Sequence, residues 1–341
     1  MTINIVISTY LEPELVERIA TLANDVVVHY RPDLLPPPRY ACDHSAPPRE
    51  LTAAQLDEWR SIVAQADVMW DFDWLEPAAM RERCVNLKWI QGTSAGIGGL
   101  VQRTGLDQSS FIMTTAGGIH AVPLAEFVVM GALHFIKGIP QLTEWKHRHH
   151  WQRYTTRQLK GSRALVVGLG GMGRQIVKQL ACHGVDVWGL GRTGRTYDIE
   201  GIANVIDRSR LDEVLSGVDL LVLSSPLTPD TEGIIGAAQV ALLKSDAIVI
   251  NVSRGQLIDQ DSLIEALRTN RIAGACLDVF AVEPLPEDSP LWDLDNVIVS
   301  PHSASTVRTE NEDLVTLFLE NLEHLRRNEP LRNVYDRVLG Y

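Results

Sequence analysis

The sequence feature that most constrains this fold is a glycine-rich turn that joins an apolar strand to a helix. Residues 164–167 read Ala-Leu-Val-Val, which is typical of a buried parallel strand, and the turn Gly-Leu-Gly-Gly-Met-Gly follows at 168–173. Helical apolar spacing begins directly after it. In this order, Gly168 permits a tight turn, Gly170 lets the backbone approach a pyrophosphate, and Gly173 allows close packing of helix on strand.

The helix that follows the turn presents free N–H groups and a positive dipole end to an anion. Spaced glycines alone are common in structural turns, whereas strand, turn and helix in this order predict a dinucleotide site. The residues predicted to line it are Gly168, Gly170, Gly171, Met172 and Gly173.

Apolar strands alternate with helical segments along most of the chain, which predicts parallel sheets covered by helices. Because 341 residues exceed the size of one hydrophobic core, we expect two domains. The predicted fold is α/β, with two doubly wound parallel-sheet domains (Rossmann-like and flavodoxin-like) and a cleft between them. The substrate domain is predicted at 1–115 plus 304–341, and the dinucleotide domain at 116–303.

Composition narrows the class of partner. The net charge of −12 argues against a general nucleic-acid binder. No apolar run reaches membrane-spanning length and no basic export signal opens the chain, so we expect no membrane association and a cytoplasmic location. The four cysteines lack metal-ligand spacing, and His147, His149 and His150 lack an acidic companion; we expect no metal site. The nearly continuous apolar segment 121–136 predicts a long buried helix and a homodimer.

The turn after the second strand of the nucleotide unit bears on the cofactor. It reads Gly-Arg-Thr-Gly-Arg at 191–195, with no carboxylate before Asp198. A carboxylate there would accept from a ribose 2′-hydroxyl, whereas a guanidinium pairs with a 2′-phosphate. We therefore predict that Arg192, Thr193 and Arg195 favour NADP(H), with NAD(H) as the alternative cofactor. The competing interpretation is that both arginines only solvate a surface loop.

Three ionisable residues, Arg254, Glu283 and His302, each follow a separate apolar strand. Open parallel sheets bind ligands at this edge. Taken singly, the arginine fits a turn cap, the glutamate a solvated surface and the histidine a loop. A glycine-dense turn at 92–99 also follows a strand and predicts either an anion cradle or a flexible connection.

With these motifs in order, the chain resembles the D-isomer-specific 2-hydroxyacid dehydrogenase family, on the branch similar to glyoxylate/hydroxypyruvate reductases. The resemblance is carried by the nucleotide turn, by Pro-Leu-Thr at 226–228 with Thr231, and by the segments around Arg254, Glu283 and His302. It covers about residues 85 to 305 well. Gly98-Gly99 depart from the family pattern, which leaves the shape of the pocket open.

The resemblance implies a mechanism that suits these residue types. His302 would donate and accept the proton because imidazole titrates near neutrality, and Glu283 would orient its ring and stabilise imidazolium. Arg254 would hold the substrate carboxylate and polarise the carbonyl. Asp278 would accept from the nicotinamide carboxamide.

Two residue sets complete the predicted site. Besides the turns above, cofactor contacts are predicted at Ser225, Pro226, Thr231, Val252, Arg254, Asp278, His302 and Ala304. Substrate contacts are predicted at Ser94, Ala95, Gly96, Ile97, Arg254, His302 and Trp70. Trp70 fits either the pocket or the domain core, and Trp292 weakly favours a small substrate.

The sequence therefore predicts an enzyme that transfers a hydride from NADPH to a small 2-keto acid, such as glyoxylate or hydroxypyruvate, and releases the D-2-hydroxy acid. Two alternatives stay open. One is a dehydrogenase of the same superfamily for a bulkier keto acid, formate or phosphite. The other is a dinucleotide-sensing protein similar to a corepressor, which would bind the cofactor without turnover.

Overall fold

The computed structural model describes residues 2–22 and 24–340, and its contacts divide the chain into two units. The first unit comprises Met1–His120 and Thr306–Tyr341, and the second comprises Ala121–Ser305. The divisions thus fall at 120/121 and 305/306, whereas the sequence placed them at 115/116 and 303/304. In both descriptions the C-terminal segment returns to the first unit.

Strands and helices alternate in each unit. The strands are β1 (Ile3–Ile7), β2 (Val26–Tyr30), β3 (Val68–Trp70), β4 (Trp89–Gln91), β5 (Ile112–Thr114), β6 (Arg163–Val167), β7 (Asp186–Leu190), β8 (Ile202–Ile206), β9 (Leu220–Leu223), β10 (Ile248–Asn251), β11 (Gly274–Leu277) and β12 (Val297–Val299). The α-helices are α1 (Pro13–Ala20), α2 (Ala53–Val63), α3 (Met80–Arg83), α4 (Gly98–Thr104), α5 (Ala121–Ile136), α6 (Ile139–His147), α7 (Gly171–Cys182), α8 (Leu211–Leu215), α9 (Ala237–Leu242), α10 (Gln260–Arg268) and α11 (Glu310–Arg326). Short 3₁₀ turns occur at Pro77–Ala79, Leu106–Gln108, Arg208–Arg210, Gly255–Leu257 and Pro290–Asp293.

The first unit is a five-stranded parallel sheet in the order β2-β1-β3-β4-β5, which is a flavodoxin-type order. Helix α2 begins at a capping box, in which the Thr52 and Gln55 side chains satisfy each other's backbone N–H groups. Helix α11 packs against α1, and its Phe318 ring stacks on Trp89 with centroids 4.9 Å apart. The returning helix therefore completes the core of this unit.

The second unit is a seven-stranded parallel sheet in the order β12-β11-β10-β9-β6-β7-β8. The chain starts in the middle at β6, builds β7 and β8 on one side, and then crosses over to β9 on the other. The reversal lies between β6 and β9, where ligands bind in doubly wound sheets. The two parallel-sheet α/β domains predicted from the sequence are thus confirmed.

Five neighbouring strands of this sheet end at the same level. The pairing register aligns their last residues in one row, which is Val167, Leu223, Asn251, Leu277 and Val299. Whatever follows each strand is therefore held along one edge of the sheet. The predicted site residues of the second unit follow these strands, or β7 beside them, so this row positions them.

Several elements escaped the sequence analysis. The short strand β5 and the edge strand β8 have weak apolar patterns because each is bordered by a sheet edge on one side. Helix α6 begins after Gly138, which adopts φ 66°, and Pro140 occupies its first turn. Helix α6 extends to His147, the first of the three histidines for which the sequence predicts no metal site.

Among the described residues, no single helix is long and apolar enough to cross a bilayer. The pair α5 and α6, bent by 59° at their junction, reaches that length and composition only when taken together.

Candidate active site in the second unit

The glycine turn adopts the geometry that a dinucleotide requires. Gly168 has φ 98°, and a Cβ added there would lie 2.7 Å from the Ser225 backbone. A Cβ on Gly173 would lie 1.9 Å from the carbonyl oxygen of Gly168, so helix α7 packs directly on the turn. Gly170 and Gly171, in contrast, have open space where a side chain would be. This open backbone at a helix N-terminus fits a pyrophosphate.

The turn after β7 carries the predicted 2′-phosphate ligands. Arg192, Thr193 and Arg195 all lie exposed on it, and the Arg195 backbone N–H donates to the Arg192 carbonyl at 3.2 Å. The Arg192 backbone N–H donates to the Tyr197 hydroxyl at 2.8 Å. The sequence analysis missed Tyr197. Its position two residues after Arg195, next to the predicted phosphate ligands, was the signal that could have found it.

The segment after β9 joins the glycine turn to the next strand. The Ser224 hydroxyl donates to the Gly168 carbonyl at 2.9 Å, and the Ser253 hydroxyl hydrogen-bonds the Ser225 carbonyl. The Thr231 hydroxyl donates to the Pro226 carbonyl at 2.7 Å, which closes the loop that follows. The predicted cofactor residues Ser225, Pro226 and Thr231 are therefore held in one bonded segment.

Arg254 lies in a turn built by Asn251, the fully buried last residue of β10. The Asn251 side chain accepts from the Ser253 backbone at 3.1 Å and donates to the Arg254 carbonyl at 2.9 Å. The Arg254 guanidinium donates to the Ser253 carbonyl at 2.6 Å. Asn251 is a second residue that sequence reasoning missed. An asparagine at a strand end is its signal, because such side chains bond the backbone two residues on, here at Ser253.

Gly255 brings the Arg254 turn against the chain that leads to Glu283. A Cβ at Gly255 would lie 1.9 Å from the carbonyl carbon of Phe280, so only glycine allows this approach. The Phe280 backbone N–H in turn donates to Glu283 at 3.0 Å. One backbone contact thus sets the separation of the arginine and the glutamate.

His302 and Glu283 form a hydrogen-bonded pair. The His302 Nδ1 and the Glu283 Oε2 are 2.8 Å apart, and the side chains are 46% and 36% exposed. With Nδ1 engaged by a carboxylate, the other ring nitrogen is Nε2, and its role as the atom that exchanges protons stays a prediction. The sequence predicted this pairing, and the structure brings both side chains together with Arg254.

The loop of His302 is held by Asp278. His302 has φ 54°, a left-handed conformation, and its backbone N–H donates to the Asp278 carbonyl at 2.9 Å. One carboxylate oxygen of Asp278 accepts from the Ser300 hydroxyl at 2.6 Å and from the Ser303 and Ala304 backbones at 2.9 Å each. Asp278 thus anchors the loop, while its contact with nicotinamide stays a prediction.

Burial and neighbouring charges shift the pKa values of Arg254 and Glu283. Burial lowers the pKa of Arg254, and the nearby Glu283 carboxylate opposes that shift. Burial also tends to raise the pKa of Glu283. Its hydrogen bonds from His302 and the Phe280 backbone, with the charge of Arg254, outweigh burial, so that the pKa of Glu283 lies below its usual range. Glu283 is therefore an anion at neutral pH.

The predicted substrate residues of the first unit fall into two groups. Ser94, Ala95 and Gly96 are exposed, Ile97 is buried, and the Gly96 backbone N–H donates to the Ser94 hydroxyl at 3.2 Å. Their role as a carboxylate cradle stays a prediction.

The expectation that Trp70 contacts substrate needs correction. Trp70 has no exposed surface, its ring packs on Phe318 at 5.5 Å, and its Nε1 donates to Thr9. It belongs to the domain core, which was the other possibility. Trp292 is 53% exposed and donates to the Pro286 carbonyl.

A glycine turn at the reversal of a doubly wound sheet, beside a paired histidine and glutamate and a half-buried arginine, defines the class of dinucleotide-dependent oxidoreductases. The family model for the D-isomer specific 2-hydroxyacid dehydrogenase NAD binding domain matches residues 129–304. The chain belongs to the D-isomer-specific 2-hydroxyacid dehydrogenase family, and within it is similar to the glyoxylate/hydroxypyruvate reductases. It is accordingly an NAD(P)-dependent dehydrogenase.

Curated relatives differ in how much of their length is shared. Glyoxylate/hydroxypyruvate reductase A from Enterobacter sp. is 29% identical over 218 residues, which are 64% of this chain and 69% of that protein. D-3-phosphoglycerate dehydrogenase from Methanocaldococcus jannaschii is 33% identical over 257 residues, 74% of this chain; the chain spans only 48% of that longer protein.

Solved structures match over the full chain. A D-isomer specific 2-hydroxyacid dehydrogenase from Xanthobacter autotrophicus, in complex with NADPH and MES, is 29% identical with a TM-score of 0.79 and 100% coverage of both chains. The NADPH-dependent glyoxylate/hydroxypyruvate reductase from Sinorhizobium meliloti, in complex with NADP and sulfate, is 25% identical with a TM-score of 0.78 and the same coverage.

The approach of helix α7 to the glycine turn gives a direct test of the dinucleotide site. We expect Gly173→Ala to weaken NADPH binding at least about tenfold, since the added methyl group has to push the helix N-terminus away from Gly168. Quenching of tryptophan fluorescence by NADPH measures the dissociation constant. Gly217→Ala, where an added Cβ makes only ordinary contacts at 3.4 Å or more, is the matched control. Equal affinities for both variants would contradict the assignment.

Proposed function

We propose that this protein reduces a small 2-keto acid of the glyoxylate or hydroxypyruvate kind to its D-2-hydroxy acid, with NADPH as the preferred hydride donor. The observation that carries the proposal is the His302–Glu283 pair at 2.8 Å, which lies at the sheet edge that also bears Arg254 and the glycine turn. The similar reductases from Enterobacter and Sinorhizobium act on these acids by name, which supports the same substrate class here.

The preference for NADPH has two supports. The two similar full-length structures contain NADPH or NADP. In this chain the turn after β7 bears Arg192 and Arg195, and it has no carboxylate that would repel a 2′-phosphate. NAD(H) is the second cofactor in this proposal.

In the proposed reaction, bound NADPH supplies a hydride to the carbonyl carbon of the keto acid. As the new C–H bond forms, the His302 imidazolium donates its proton from Nε2 to the carbonyl oxygen and becomes neutral. Glu283, an anion at neutral pH, holds the ring at Nδ1 and stabilises the imidazolium before transfer. The Arg254 guanidinium pairs with the substrate carboxylate and polarises the carbonyl. In the oxidative direction, neutral His302 accepts the hydroxyl proton.

The experiment that tests the proposal is a steady-state assay against a panel of 2-keto acids with each cofactor, together with His302→Gln. We expect glyoxylate or hydroxypyruvate to be turned over with NADPH, and the variant to lose at least about a hundredfold in kcat while its NADPH affinity changes far less. With hydroxypyruvate, chromatography on a chiral phase checks the configuration of the product; glycolate, the product from glyoxylate, is achiral.

The panel also separates the alternatives. Binding of NADPH without turnover of any keto acid by the wild-type chain would favour a dinucleotide sensor. Preference for a bulkier keto acid would keep the enzyme class and replace the proposed substrate. Formate and phosphite are hydride donors, so they are assayed separately with NADP+ and NAD+, and their oxidation would likewise replace the substrate. Turnover by His302→Gln close to that of the wild type would remove His302 as the proton donor.

The role of Glu283 predicts a shift in pH dependence. In the proposed reaction the His302 ring donates the proton, and the Glu283 anion 2.8 Å from Nδ1 stabilises the charged ring; in Glu283→Gln the neutral amide supplies no such charge. We expect the alkaline limb of the kcat/KM profile for reduction to move to lower pH. Glu213→Gln is the control variant. Glu213 forms a salt bridge with Arg210 three residues before it, and its substitution should leave the pH profile unchanged. A Glu283→Gln profile that coincides with the wild type would exclude the proposed coupling.

We also propose that the enzyme is a homodimer through the outer face of α5 and α6. On these helices Val122, Met130, Ile139 and Leu142 are 46%, 42%, 38% and 37% exposed, and Met130 and Ile139 line one open, mostly apolar pocket with Val129 and Leu133. A second copy of the chain covers such a face with equal apolar surface.

Sedimentation velocity tests the dimer. We expect the wild type to sediment as a dimer and Met130→Asp to shift toward monomer, because a carboxylate in an apolar interface is desolvated without a partner. Val85→Asp is the control, since Val85 is an exposed apolar residue of the first unit with 78% of its surface accessible. A wild type that sediments as a monomer would refute the proposal.

A further inference from the structure

We propose that Tyr197 is a positioning residue that determines cofactor specificity. Its ring and hydroxyl hold the turn 191–195 in the conformation that selects a 2′-phosphate. The inference rests on the proposed role of Arg192 and Arg195 as phosphate ligands, and it adds the group that makes their turn rigid.

Three contacts join Tyr197 to the turn. Its hydroxyl oxygen accepts from the Arg192 backbone N–H at 2.8 Å. Its ring packs against Gly191, where an added Cβ would lie 2.4 Å from the ring carbon Cε2. The Arg195 guanidinium lies 5.5 Å from the ring centroid, within the range of a cation–π contact. The turn is thus bound at its start, at its first arginine and at its second arginine.

The ring is itself anchored while the turn is exposed. Tyr197 is half-buried and packs with Ile199 and Ile202 against the core beneath helix α7. Residues 192–196 are exposed, and Gly194 adopts φ 76° at the tip. An exposed turn with a left-handed glycine is mobile unless something holds it. Tyr197 links it to the core.

Rigidity of the turn 191–195 affects the affinity for only one group of the cofactor, the 2′-phosphate. A guanidinium that binds phosphate loses side-chain and loop freedom, and that loss weakens binding unless the turn is ordered beforehand. A cofactor without a 2′-phosphate makes no such contact, so its affinity does not depend on how the arginines are held. Tyr197 should therefore affect the preference between the two cofactors more than the affinity for the shared part.

Adenosine 2′,5′-bisphosphate and adenosine 5′-monophosphate isolate this effect, since they differ only by the 2′-phosphate. Calorimetric titration of the full chain with each ligand gives a ratio of dissociation constants without any turnover. We expect Tyr197→Phe, which keeps the ring and loses the hydrogen bond, to reduce the preference for the bisphosphate about fivefold. Tyr197→Ala, which also loses the ring, should reduce it by about tenfold or more. Affinity for the monophosphate should be unchanged in both.

Gly191→Ala provides an independent variant on the opposite side of the contact. Its methyl group displaces the Tyr197 ring, so we expect it to lower the preference for the bisphosphate in the wild-type background. In the Tyr197→Ala background the same substitution should have no further effect, because the ring that it displaces is absent. Tyr154→Phe is the matched control: its hydroxyl donates to the Lys137 carbonyl, away from this turn, and the ratio should match the wild type.

The outcomes separate this inference from the phosphate role on which it rests. If the wild type shows no preference for the bisphosphate, the proposed phosphate ligands are wrong and the inference falls with them. If Arg192→Ala with Arg195→Ala abolishes the preference while both Tyr197 variants keep it, only the inference is overturned. Equal weakening of both ligands by Tyr197→Phe would assign the residue a purely structural role and overturn the inference as well.

Discussion

The structure depends on close backbone approach along one edge of a parallel sheet. Five strands end in register, and two glycines then let neighbouring segments meet: Gly168 meets Ser225, and Gly255 meets Phe280. A side chain at either glycine would force the segments apart. Because these contacts involve backbone atoms, they fix the relative positions of the backbone segments. The functional side chains attached to these segments are positioned as a result.

Hydrogen bonds continue the same row from strand to strand. The Ser224 hydroxyl reaches the Gly168 carbonyl, the Ser253 hydroxyl reaches the Ser225 carbonyl, and the Phe280 backbone reaches Glu283. His302 ends the row in a left-handed conformation, which an L residue adopts at some cost in free energy. The three bonds accepted by one oxygen of Asp278 hold the loop in that conformation. A residue predicted to bind the cofactor thus also positions the histidine.

The sequence predicted what depends on local pattern. The long helix at 121–136, which is α5, and the glycine turn follow from residue types at fixed spacing. It left Trp70 open between core and pocket, because a tryptophan at a strand end fits both, and its burial depends on Phe318, 248 positions later. Asn251 and Tyr197 were missed for a related reason. Their partners are backbone groups, which the sequence does not distinguish from any others.

The environment of Arg254 links this geometry to the choice of substrate. Burial lowers its pKa, which means that the charged guanidinium is less well solvated than it would be in water. The Ser253 carbonyl and the Glu283 charge compensate for part of that loss. Glu283 already accepts hydrogen bonds from His302 and from the Phe280 backbone. Its negative charge is therefore shared among these two groups and Arg254. An incoming carboxylate supplies the guanidinium with a charged acceptor of its own, whereas a neutral ligand leaves it poorly solvated. If Arg254 binds the substrate as proposed, the same burial that leaves its guanidinium poorly solvated in the free protein favours an anionic substrate.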